Sequence, residues 1–124
     1  MTTGTLTITT DPDWKTALRK AGGIAQKSLT TKQNQPDILN FESPGAFFAN
    51  LNERRWALLR IMLGQGTVGV RELARRVGRD VKGVHTDASV LVSLGLLQRN
   101  SNGALCCPYD RIRVDMLMEP EPAP

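Results

Sequence analysis

The chain has 124 residues, of which 40% are hydrophobic and 23% charged, and it carries a formal net charge of +4. This composition is typical of a compact globular protein, and the short apolar runs exclude a membrane-spanning helix. The N-terminus shows no secretory signal, so we expect a cytoplasmic protein. Two adjacent cysteines and one histidine supply no metal site or catalytic triad, and no phosphate-binding glycine loop is present. We therefore expect a protein that is not an enzyme and has no cofactor.

The N-terminal part of the chain, residues 1–40, is predicted to be a strand–helix extension. Alternating apolar residues predict a strand over 5–9. Asp11-Pro12 is typical of a helix start, and an apolar face follows at helical spacing, formed by Trp14, Ala17, Leu18 and Ala21. A second short strand is predicted over 38–42. We expect this extension, with a strand at the C-terminal end, to form a dimer interface.

Residues 41–116 are predicted to form the main domain, which begins with four helices. Ser43-Pro44 and Asn52 are typical N-terminal caps, so a helix is expected after each of them. A short helix over 70–77 and a longer helix over 80–94 follow, because apolar residues recur there at helical spacing. The longer helix is expected to end at a left-handed glycine, Gly95.

The remaining elements of this domain are a turn, a hairpin and a strand. Gly78 stands between the last two helices, where a tight turn requires a left-handed residue. An Asn-Gly pair predicts a hairpin over 96–107, and alternation predicts a strand over 112–116. A disordered tail is expected over 117–124. This order predicts an α+β fold: a winged helix-turn-helix with the N-terminal strand–helix extension.

Basic residues are concentrated in the middle of the chain. Between Arg54 and Lys82 there are eight basic residues and two acidic ones, so half of the chain's basic charge lies in this segment. Such a run is either a solvated surface or an electrostatic footprint for nucleic acid. Together with the predicted helix-turn-helix, it favours binding to double-stranded DNA.

The helix over 80–94 is predicted to be the one that reads DNA. Its core face is expected to contain Val81, Val84, Ala88 and Leu91, which recur at helical spacing. The opposite face carries Lys82, His85, Thr86 and Ser89. In a helix-turn-helix the N-terminal half of the second helix meets base edges in the major groove. Lys82 and Thr86 are therefore predicted to contact bases, whereas His85 is either a DNA contact or an exposed bystander.

Other residues are predicted to contact the DNA backbone or to support the fold. Arg71 and Arg79 are expected to meet phosphates, and Arg99 in the wing is expected to reach the minor groove or its phosphates, with Asn102 beside it. Asp87 is expected to orient a neighbouring arginine. The predicted DNA-binding residues are thus Arg71, Arg79, Lys82, His85, Thr86, Ser89, Arg99 and Asn102.

Several segments together carry a resemblance to a known family. The most distinctive is residues 79–87, with the pattern Arg-Asp-x-x-x-Val-His-x-Asp; the others are Phe41-Glu42-Ser43, Leu51-Asn52-Glu53-Arg54-Arg55, Arg71-Glu72-Leu73-Ala74, Leu94-Gly95-Leu96-Leu97 and Pro108-Tyr109-Asp110-Arg111-Ile112. Over about residues 41–114 the chain resembles the small MarR-like winged-helix proteins, predicted transcriptional regulators of bacteria and archaea. It departs from them at Gly69, where they commonly carry a Ser or Thr cap.

We expect a repressor or autoregulator that is a homodimer, because one recognition helix reads only a short site and a two-fold dimer doubles it. The resemblance implies an alternative, because some similar proteins are antitoxin-like partners of small toxins. In that case the chain would neutralise a toxin-like partner protein and autoregulate its own operon. A winged helix that binds structured RNA is a further alternative, and the sequence does not separate these hypotheses.

Overall fold

The computed structural model describes residues 4–12, 37–118 and 120. The contacts between residues divide this part of the chain into two compact units. The helical unit contains residues 4–5 and 48–111. The sheet unit contains residues 6–12, 37–47, 112–118 and 120. The expected α+β class is confirmed. The described elements are β1 (Thr5–Thr9), β2 (Asp37–Asn40), α1 (Pro44–Asn50), α2 (Glu53–Met62), α3 (Val70–Val77), α4 (Val81–Ser93), β3 (Gln98–Arg99), β4 (Leu105–Cys106) and β5 (Arg111–Asp115).

The sheet unit contains a three-stranded sheet in the order β2-β1-β5. Strand β1 runs parallel to β2, with Leu6 opposite Asp37 and Thr9 opposite Asn40. Leu6 and Ile8 are buried on one face, as the alternating pattern predicts. The three predicted strands are confirmed, the first with the predicted bounds and the other two with bounds shifted by one or two residues. The helix predicted after Asp11, and residues 119 and 121–124 of the predicted tail, lie outside the described residues.

Side-chain caps explain where α2 and α4 begin. The Asn52 side chain accepts a hydrogen bond from the backbone N–H of Arg55 at 3.0 Å, and Asp80 accepts one from Gly83 at 2.9 Å. Each satisfies a backbone donor that the first helical turn leaves free. Between α3 and α4, Gly78 has a φ of 69°, which is the left-handed conformation that the tight turn was expected to need. The predicted helices over this region are confirmed.

The core of the helical unit lies among α2, α3, α4 and the hairpin. Its fully buried side chains come from all four elements and include Leu58, Met62, Leu73, Val84, Leu91, Leu96 and Leu105. Ala74 is also buried, and its small side chain is suited to the predicted close crossing of the two helices. The interior is therefore built from large aliphatic side chains with a small residue at the helix crossing, and it fixes the orientation of α4.

The predicted hairpin is confirmed, but its turn is wider than an Asn-Gly pair requires. Strands β3 and β4 are antiparallel and only two residues long, with Arg99 opposite Leu105. The Asn100 N–H donates to Ala104 O at 2.9 Å, so the loop spans 100–104. Because the Asn100 side chain also accepts from the N–H groups of Asn102 and Ala104, the loop is held by its first residue.

A third extended segment joins this hairpin. Val68 forms an antiparallel bridge with Leu105, and the two residues exchange backbone hydrogen bonds of 2.7 and 2.8 Å. Beyond Leu105, Cys107 is buried and Cys106 is half-buried, as the alternation of faces along an extended chain implies. Burial raises the pKa of the Cys107 thiol.

The predicted core face of α4 is wrong at its first residue. Val84, Ala88 and Leu91 are fully buried, but Val81 is 43% exposed. Val81 stands directly after the Asp80 cap, and the apolar face of the helix runs past the core at that point. Helical spacing gives the direction of a side chain and does not show how far the covering elements extend.

This difference between two valines of one helix gives a matched prediction. Val84→Ala should lower the free energy of unfolding by about 2 kcal/mol, because two buried methyl groups are lost and a cavity remains. Val81→Ala should change it by less than about 0.5 kcal/mol, as exposed substitutions do. Urea denaturation of the full chain measures both values. Equal losses for the two variants would contradict the burial described above.

Candidate functional site

The outward face of α4 is a polar surface of the helical unit. Lys82, His85 and Thr86 are exposed there, and Ser89 is half-buried. The Thr86 hydroxyl donates to the carbonyl oxygen of Lys82 at 3.1 Å, and the Ser89 hydroxyl donates to that of His85 at 2.9 Å. Since each hydroxyl proton is used within the helix, each oxygen acts as a hydrogen-bond acceptor, that of Thr86 on an exposed side chain and that of Ser89 on a half-buried one. Lys82 adds a cationic donor to the same face.

The hairpin is joined to this face through Arg99. Its Nη2 atom donates to the Ser89 hydroxyl oxygen at 3.2 Å, and the side chain is half-buried. Arg99 therefore lies beside the middle of α4, whereas Asn102 is exposed in the loop of the hairpin. The two predicted wing residues thus lie in different places: Arg99 packs against α4, and Asn102 lies in the loop of the hairpin.

The arginines of α3 fall into two groups. Arg71 is exposed. Arg75 and Arg76 both donate to the Glu72 carboxylate, with Nε–oxygen distances of 2.9 Å in each case. These hydrogen bonds, first from Arg75 and then from Arg76, lower the pKa of Glu72 to about 2. The negative charge of Glu72 therefore offsets part of the positive charge of Arg75 and Arg76. Arg71 is exposed and can contact a ligand in solution.

Behind the outward face of α4 lies a buried ion cluster, which we call the Asp87 cluster (Arg55, Arg79 and Asp87). Asp87 is only 8% exposed. Its Oδ1 atom accepts from Arg55 Nε at 3.0 Å and its Oδ2 atom from Arg79 Nη2 at 2.7 Å. Arg55 also donates to the carbonyl oxygen of Asn50 at 3.0 Å. The cluster therefore joins α2, the turn before α4, and α4 itself.

The expectation that Asp87 orients a neighbouring arginine is confirmed, and a second arginine, Arg55, was missed. The sequence does contain a signal for it. Asp87 lies three residues after Val84 and four before Leu91, on the side of α4 that faces the core. An aspartate in that position needs cationic partners, because a buried charge without them is strongly unfavourable. The spacing does not reveal which arginines of the basic segment supply them.

Burial alone would raise the pKa of the Asp87 carboxyl, but the hydrogen bonds from Arg79 and Arg55 outweigh it and leave this pKa below its ordinary value. A carboxyl with a lowered pKa in the folded state stabilises the fold above its unfolded pKa of about 4. That stabilisation is lost as the pH falls through the lower, folded pKa.

The difference in free energy of unfolding between the wild type and Asp87→Asn should therefore be constant above about pH 4 and shrink below it. Urea denaturation at a series of pH values measures this difference. Because Glu72 titrates in both proteins, its contribution cancels. If the difference in free energy of unfolding stays constant at acid pH, the charge of the Asp87 carboxylate does not stabilise the cluster.

Two further findings concern the described residues only. No group of three or more His, Cys, Asp or Glu side chains in ranges 4–12 and 37–118 is arranged to hold a metal ion. Among the same residues, no helix has the length and apolarity needed to cross a membrane.

Comparison with known proteins gives one match. The model of the HVO_A0114 family matches residues 50–114, just over half of the chain, from the end of α1 into β5. This range contains the outward face of α4, the hairpin and the Asp87 cluster. No curated protein and no solved structure matches the chain.

Proposed function

The chain belongs to the HVO_A0114 family, and we propose that it is a sequence-specific regulator of transcription that binds double-stranded DNA through a winged helix-turn-helix. One observation carries this proposal: an exposed cationic and polar face at the start of α4 stands beside a hairpin whose Arg99 is bonded to that helix. The order α3, left-handed Gly78 turn, α4, hairpin supports it. So does the Val68–Leu105 bridge, which gives the hairpin a third extended segment.

In the proposed complex, the N-terminal half of α4 enters the major groove. Lys82 donates to guanine, and Thr86 offers a hydroxyl acceptor and a methyl group to the bases. His85 and Ser89 lie further along the same face. Arg71 meets a phosphate, and the hairpin follows the backbone with Arg99 and Asn102 toward the minor groove.

The proposed regulator acts as a homodimer. One recognition helix reads only a short site, and a two-fold dimer doubles that site as an inverted repeat. Half-site centres should then lie about 10 base pairs apart, or a multiple of that distance. A homodimer that binds such a site at a promoter would act as a repressor or an autoregulator.

Selection of bound sites from random DNA duplexes, with the full chain, tests this function. We expect an enriched inverted repeat and an affinity that falls with salt, with a log–log slope of about 0.9 for each phosphate neutralised. A protein that enriches no sequence, or whose affinity is independent of salt, would contradict the proposal. Tighter binding of structured RNA than of duplex DNA in direct competition would overturn it in favour of an RNA-binding winged helix.

A further inference from the structure

A helix that reads base edges must be held in a fixed rotation and at a fixed depth, because small displacements move its side chains away from the groups they contact. In α4 the residues proposed to read bases and the aspartate of the ion cluster lie close together along the helix but on different sides of it. Thr86 points outward, while its neighbour Asp87 is buried against Arg55 and Arg79. The Asp87 cluster therefore acts on the turn of helix that presents Thr86.

Arg79 reaches Asp87 by passing close to the backbone of the first turn of α4. A Cβ atom added at Gly83 would lie 3.3 Å from Arg79 Nη2 and 3.0 Å from the Asp80 carboxylate. Both distances are tight for a carbon atom, so a side chain at this position would push the guanidinium or the capping carboxylate aside. This close approach accounts for a glycine inside the helix, where glycine is otherwise unfavourable.

The two terminal nitrogens of the Arg79 guanidinium are directed inward. Its Nη2 atom is bonded to Asp87 at 2.7 Å. Its Nη1 atom is buried, with no hydrogen-bond partner among the described residues, and 24% of the side chain is exposed. A guanidinium that binds phosphate presents its planar fork of donors to the ligand. Here one side of that fork is occupied and the other is covered by protein.

We propose that Arg79, Asp87 and Arg55 are positioning residues, which fix α4 against α2 and the preceding turn and thereby align Lys82 and Thr86 with the bases. Arg79 acts through α4 and does not contact DNA. This inference rests on the proposed function and changes the role that the sequence suggested for Arg79. It also gives the pattern of residues 79–87 a physical reason: the first arginine and the last aspartate are the two ends of one ion pair.

The test compares Arg79→Gln with Arg71→Gln, since Arg71 is an exposed arginine of the same helix-turn-helix. Affinities are measured for the selected site and for a scrambled duplex over a series of salt concentrations. Arg71→Gln should weaken both complexes alike and flatten the log–log salt slope by about 0.9. Arg79→Gln should leave binding to the scrambled duplex and its slope unchanged. Its preference for the selected site should fall at least about fivefold, the smallest discrimination expected from one lost base contact.

A flatter slope with an unchanged preference for Arg79→Gln would identify Arg79 as a phosphate contact and overturn the inference. Arg79→Lys, which keeps a cation beside Asp87, gives a second variant in case Arg79→Gln does not fold. The lysine variant should retain more of the preference than the glutamine variant, again with the slope unchanged. Because lysine keeps the charge, its slope is unchanged in either role, and a preference in Arg79→Lys equal to that of the wild type would contradict the positioning role.

A wild-type protein without any sequence preference would refute the proposed function. It would not refute the coupling within the Asp87 cluster, which is measured separately, without DNA. Arg79→Gln, Asp87→Asn and the double variant form a thermodynamic cycle in urea denaturation. The double variant should lose less stability than the sum of the single variants, because each change removes the same ion pair. Strict additivity would show that Arg79 and Asp87 do not act together and would overturn the inference.

Discussion

Replacing Asp87 with alanine should lower the free energy of unfolding by about 3 kcal/mol. Removing one partner of a buried ion pair typically costs about 3–5 kcal/mol, because the remaining charge is left without compensation. Here two arginines lose their partner at once. Since the Arg55 and Arg79 side chains keep 18% and 24% of their exposure, water can partly solvate them, and the lower end of that range applies.

Asp80→Ala is the matched control for this experiment. Asp80 is exposed, and its side chain has one described hydrogen bond, from the backbone N–H of Gly83. Loss of such an N-terminal cap costs about 1 kcal/mol. Both variants lose one aspartate in the same nine-residue segment, so their difference isolates the effect of the buried pair. A loss for Asp87→Ala no greater than that for Asp80→Ala would mean that the cluster does not stabilise the fold.

Alanine at Lys82 or at Thr86 should relax the preference for particular base pairs. A good base contact discriminates by about 1–3 kcal/mol, which is roughly 5- to 150-fold in relative affinity. The Thr86 hydroxyl proton is used by the carbonyl oxygen of Lys82, so Thr86 should recognise a base amino group or a thymine methyl. Repeating the site selection with each variant at fixed salt identifies the affected positions.

Arg99→Ala should behave differently. It should weaken binding evenly across sequences and flatten the salt slope by about one unit, as the loss of a phosphate contact does. Folding should survive all three changes, because Lys82 and Thr86 are exposed and the Arg99 side chain has one described hydrogen bond, to the hydroxyl of Ser89. If Lys82→Ala and Thr86→Ala keep the wild-type preference at every position, α4 is not the helix that reads the bases.

The comparison of sequence with structure separates local signals from tertiary ones. Asn52, Asp80 and Gly78 determine where helices begin and end through bonds to their own neighbours, and these bounds could be predicted. The exposure of Val81 could not, since it depends on where the covering elements stop. The same reason hides the pairing of Arg55 with Asp87, which joins residues 32 positions apart. The hairpin was predictable from Asn102-Gly103, but the width of its loop depends on how Asn100 satisfies the enclosed backbone.

The Val68–Leu105 bridge has a consequence for how the helical unit assembles. It pairs a residue just before α3 with one just after the hairpin loop, so the chain between them, with α3 and α4, is one closed loop. Closing a long loop carries an entropic cost that must be met before the contact stabilises anything. The contacts of α3 and α4 inside this loop offset that cost, so we expect the helix contacts and the bridge to form cooperatively. A chain that ended before Leu105 would leave the backbone N–H and carbonyl of Val68 without these bonds. The hairpin thus closes the chain segment that contains α3 and α4. We expect local unfolding of the hairpin and of these two helices to be one cooperative event.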